Sequence, residues 1–171
     1  MIRRLRLAFV IVICVVLQTT LFTHLRIDGV APDVGLVAVL AVAYYDGAES
    51  GAWFGFIMGL AIDLFLTTPL GLSALSFAIT GYVVGVVQAG MVRTPPAIAP
   101  LLGGLGGLFG GLVFLAVGAV VGQEGFLSYS SLRTVVIAAL YDALIAPVVF
   151  PLVRRAARHP HTVTASWRVG T

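Results

Sequence analysis

Few side chains in this sequence can do chemistry, and they are scattered. Two acids interrupt long apolar stretches, Asp63 and Asp142. A charge near the centre of a bilayer costs about 2.5–3.5 kcal/mol on insertion scales, so each acid should face protein or water. Asp142 is expected to be protonated or bonded to a hydroxyl or amide such as Tyr82 or Gln88, the sharper alternative being a proton or ion pathway. Nucleophile chemistry lacks a base: Ser73, Ser76, Ser128, Ser130 and Ser131 have no histidine nearby in sequence, and the chain has no lysine. His159-Pro160-His161 offers two metal donors with no cysteine or carboxylate beside them, whereas a catalytic metal usually takes three protein ligands. Gly103-Gly104-Leu105-Gly106-Gly107 lies inside an apolar run and lacks the strand before and the lysine after that a phosphate loop requires. The residues therefore point away from catalysis, and no cofactor, metal or nucleic acid is expected.

The elements that hold these residues are membrane helices. The chain has 171 residues, of which 60% are hydrophobic and only 10% charged, with a mean hydropathy of +1.08. Soluble domains carry roughly 25% charged residues, so this chain has too little polar surface to cover itself. Transmembrane strands alternate in polarity; these runs are apolar throughout and read as helices. The fold class expected is an all-α integral membrane protein, one bundle of about six spans over residues 1–153, followed by a basic cytoplasmic tail, 154–171. Cys14 is the single cysteine and excludes an internal disulfide.

The apolar runs are Leu5–Phe22, Val34–Tyr45, Gly51 to about Phe65, Leu70–Ala89, Ile98–Val121 and Leu132–Val153. The second is short beside the roughly 20 residues of a full crossing, so the second and third runs form either two short spans or a re-entrant hairpin. The third organises the rest. Gly51, Gly55, Gly59 and Asp63 recur every fourth residue, which places them on one helix face. Such small-xxx-small rows let backbones approach closely. Gly81 with Gly85, and Gly103 with Gly107 and Gly111, repeat the device. Their number suggests that one glycine-lined face is left over for a partner helix.

Arginine supplies all ten basic residues. With an even number of crossings and a cytoplasmic start, Arg3, Arg4, Arg6, Arg93, Arg154, Arg155, Arg158 and Arg168 fall inside, and only Arg26 and Arg133 outside. The positive-inside rule then puts both termini in the cytoplasm. Asp33 and Asp63 would lie toward the outer boundary, where Arg26 or Arg133 is expected to tether one of them.

Across residues 32–85 the order of motifs resembles a known family. Pro32-Asp33 opens a short apolar helix; Gly51, Gly55-Phe56, Gly59-Leu60 and Asp63-Leu64 follow, then Pro69-Leu70-Gly71-Leu72, Ser73-Ala74-Leu75, Gly81-Tyr82 and Gly85. This is similar to the rod shape-determining protein MreD family of bacteria. The resemblance implies a non-enzymatic inner-membrane component of the peptidoglycan elongation machinery. It implies pairing with the single-span protein MreC, and links to MreB, RodA and a penicillin-binding transpeptidase. The family's fold also resembles the substrate-binding subunits of energy-coupling-factor vitamin transporters, which supplies the alternative function. Those subunits often carry Ala-x-x-x-Ala in the first span; LAFVIVICVVLQ has no such pair.

Overall fold

The computed structural model describes residues 2–21, 30–65, 69–90, 98–122 and 128–157. Among them the regular elements are six helices: α1 (Ile2–Val16), α2 (Val34–Asp46), α3 (Ala48–Asp63), α4 (Leu72–Ala89), α5 (Ala99–Val120) and α6 (Tyr129–Ala157). A wider π-helical turn, Leu17–Leu21, extends α1. α4, α5 and α6 are long and apolar enough to cross a membrane. The fold is thus the helical membrane bundle expected. α6 passes through Pro147 and Pro151 without ending, and continues past Val153 to carry Arg154 and Arg155 in its last turn.

Glycine decides which helices pair. Gly51 meets Gly81, Gly55 meets Phe77, and Gly59 meets Ser73 and Ala74. The numbers rise on α3 as they fall on α4, so the two form an antiparallel hairpin with backbones in contact. A methyl group on Gly55 would sit on the Phe77 carbonyl, and one on Gly85 against the backbone of Ala48. α5 and α6 form a second antiparallel hairpin: Gly103 faces Ala146, Gly107 faces Asp142 and Gly111 faces Val135.

α2 fills the space between the hairpins. Val37 to Ala43 are completely buried, and Leu36 and Leu40 press into Gly110 and Gly106 of α5. A helix apolar on every side belongs inside a bundle. Gly47, at φ +88°, is the only residue between α2 and α3, a left-handed turn that glycine adopts without a Cβ clash. Tyr44, Tyr45 and Phe150 cluster near the same end of α2, with ring centroids 5.0–6.2 Å apart. α1 lies outermost against α6, α2 and α3, burying Cys14 and Val15.

One expectation is corrected here. The glycine rows do not leave a face free for a partner. Gly51, Gly55, Gly59, Gly81 and Gly85 are consumed between α3 and α4, and Gly103, Gly107 and Gly111 between α5 and α6. The reason is that rows on consecutive antiparallel helices serve as each other's complement.

Candidate functional site

Two buried acids each cap the start of a helix. Asp63 is 1% exposed. Its carboxylate accepts backbone N–H groups from Gly71 (2.8 Å), Ser73 (3.2 Å) and Ala74 (3.3 Å). The first N–H groups of any helix lack an internal acceptor, and a negative charge there also complements the helix dipole. Here the cap comes from the preceding helix, eight to eleven residues back. Gly71 must take a left-handed conformation, φ +97°, to open α4. The Pro69 carbonyl accepts the Leu72 N–H and completes the turn. Deeper in α4, Ser76 and Thr80 are buried and donate back to the carbonyls of Leu72 and Ser76 at 2.8 and 2.7 Å.

The second acid is Asp142, also 1% exposed. Its Oδ1 accepts the backbone N–H of Asp33 at 2.9 Å. Asp33 caps its own helix by accepting the Leu36 N–H at 3.0 Å. Gln18, in the π turn after α1, completes the arrangement: its Oε1 accepts from the Val34 N–H (3.1 Å) and its Nε2 donates to the Pro32 carbonyl (3.2 Å). Three chain segments therefore converge on the free donors of α2. Gly107 makes room for the carboxyl, since a methyl group there would lie 2.6 Å from Asp142 Oδ2.

This knot lies beside the middle of α6, a helix long and apolar enough to cross a membrane. Asp142 is twelve residues before Arg154, about 18 Å along α6 at 1.5 Å per residue. The hydrocarbon layer is about 30 Å thick. α2 has 13 residues and spans about 20 Å, less than the thickness of that layer, so a start level with the middle of α6 calls for acceptors from the protein itself. An unsatisfied backbone group there costs several kcal/mol. The side chains of Gln18, Asp33 and Asp142 remove that cost.

Two sequence expectations change accordingly. Asp33 sits beside the middle of α6 rather than at the outer boundary, because α2 is too short to reach it. Asp142 meets the start of α2 instead of Tyr82 or Gln88. The donors described on Asp63 are backbone amides; of the two arginines expected to tether Asp63 or Asp33, Arg133 is exposed on the first turns of α6 and Arg26 lies outside the described residues. So do His159, His161 and the end of the tail. Gln18 escaped sequence reasoning, although an amide closing an otherwise apolar run was a visible signal.

The site holds no arrangement of base and nucleophile on its capping groups: its acids accept from backbone N–H groups and its amide bridges two segments. These are the features of a polytopic helical membrane protein whose buried polar groups position helices. The chain belongs to the rod shape-determining protein MreD family, whose model matches residues 2–156. Membership carries a role in determining rod shape. No curated protein and no solved structure matches the chain.

Proposed function

We propose that this protein is a non-catalytic scaffold of the bacterial cell-elongation machinery, held in the inner membrane with both termini cytoplasmic. Its partner is an MreC-like single-span protein, and through that pair it is linked to MreB, RodA and a penicillin-binding transpeptidase. The family match over residues 2–156 carries this reading. The geometry supports it: both fully buried acids act as helix caps, a structural use rather than a chemical one. The bias of arginines toward one side supports the orientation.

Co-expression of the full chain with its MreC-like partner tests the reading. The partner is expected to co-purify in mild detergent, and depletion of the protein should turn rod-shaped cells round. Tight binding of a vitamin by the purified chain, with no retention of the partner, would favour the transporter subunit.

A further inference from the structure

We infer that the lipid-facing side of α6 around Pro147 and Pro151 is the docking surface for the single membrane helix of a partner that carries a hydroxyl or amide donor near the middle of its span. This rests on the partner reading above. Proline has no backbone N–H, so the carbonyls of Ala143 and Pro147, four residues earlier, lose their helical donors. Both prolines are exposed. Around them Leu140 (67% exposed), Leu144 (74%), Val148 (63%) and Leu152 (55%) form a continuous outward ridge. Pro147 lies seven residues before Arg154, about 10 Å along the helix, so the two carbonyls are within the hydrocarbon layer. There is no water at that depth to satisfy them, and membrane proteins satisfy such groups from neighbouring helices or hydroxyl side chains.

Within this stretch α6 supplies no donor of its own. From Ala143 to Val153, α6 has no hydroxyl, amide or amine side chain, and the apolar part of α1, which packs beside α6, is Leu5–Val16. A second copy pairing through this ridge would set carbonyl against carbonyl. A foreign helix with a serine, threonine, asparagine or glutamine at mid-span fits both the acceptors and the apolar ridge.

The test is photocrosslinking in the co-expressed complex. A photoreactive residue is placed at Leu144 or Val148, and for comparison at Phe56 or Leu60, which are exposed on α3. Crosslinks to the partner are expected at 144 and 148. Pro147→Ala with Pro151→Ala restores both N–H groups; partner retention should fall about three- to twentyfold, the range of one interhelical hydrogen bond in a membrane. Val148→Trp blocks the ridge without touching the core and should also release the partner, which covers the case where the proline variant misfolds. Partner crosslinks confined to 56 and 60 would overturn the surface while leaving the partnership intact. Crosslinks at 144 and 148 only between copies of this chain would overturn it in favour of self-association. A partner that never co-purifies would overturn the reading beneath it.

Discussion

Removing the Asp63 carboxylate should unfasten α4 from α3, and its size can be worked from the contacts. Three backbone donors depend on it, at 2.8, 3.2 and 3.3 Å, and the side chain is 1% exposed. Orphaning a buried donor costs about 1–3 kcal/mol. Three donors give a range of roughly 3–9 kcal/mol, which relaxation of the turn should reduce, so Asp63→Leu is expected to cost about 3–6 kcal/mol. Asp63→Asn keeps one acceptor oxygen in place and turns an amide toward the remaining donors; it should cost about 1–2 kcal/mol, in the range of a lost helix cap. Unfolding by sodium dodecyl sulfate from bicelles, followed by circular dichroism, measures both. Hydrogen exchange localises the effect: the amides of Gly71, Ser73 and Ala74 should lose protection first. The reasoning is refuted if Asp63→Leu unfolds with the wild type and those amides stay protected. Equal damage from Asn and Leu would show that the negative charge, not the acceptor geometry, holds the turn.

Other expectations follow from the same contacts. Gln18→Leu removes both bonds between the π turn and α2, and should cost about 1–3 kcal/mol, with exchange rising at Val34 in the same unfolding assay. Gly55→Leu should abolish accumulation of folded protein, since any Cβ there meets the Phe77 carbonyl, whereas Gly90→Ala, with its nearest neighbour 3.6 Å away, should be silent in expression and melting. Asp142→Leu should destabilise strongly and Asp142→Asn mildly, as read by unfolding midpoints, because only the former strips the Asp33 N–H of its acceptor. A cysteine placed in residues 46–50 should react with an impermeant reagent from the cytoplasmic side; labelling only from outside would sink the orientation proposed.

Composition and breakers made the helices legible. The apolar runs Val34–Tyr45, Leu70–Ala89 and Ile98–Val121 became Val34–Asp46, Leu72–Ala89 and Ala99–Val120. In a chain with so few charges, each polar cluster marks a boundary. The glycine faces were legible as well, because a four-residue spacing fixes a face on any helix. What faced each row was not, since spacing within one helix says nothing about its complement. The polar knot was the least visible part. Asp33 and Asp142 are 109 residues apart, and neither neighbourhood carries a mark of the other. The expectation of an arginine tether on Asp63 or Asp33 came from counting charges, which gives no view of the backbone donors from which Asp63 accepts. It overlooked that a helix start is itself a cluster of donors, and that Gly71, eight residues on, could turn them back toward the acid.

The distribution of small and large side chains constrains how this bundle can meet another protein. Glycine and alanine lie inward, where α3 touches α4 and α5 touches α6. Outward lie Trp53, Ile57, Leu105, Leu140, Leu144 and Val148. Close backbone approach, the usual basis of small-residue helix pairing in membranes, is therefore spent on folding the protein. A partner helix meets ridges of large side chains, which pack well but discriminate little, since lipid tails are equally apolar. Specificity must then come from polar groups at membrane depth. Asp63, Asp142 and Gln18 are already committed to helix starts, and Ser76 and Thr80 to their own backbone. Among the described residues, proline adds two carbonyl acceptors to the outward side of α6, beside outward hydroxyls such as that of Tyr82 on α4. On the docking surface we propose, the two prolines of α6 would serve recognition as well as helix geometry.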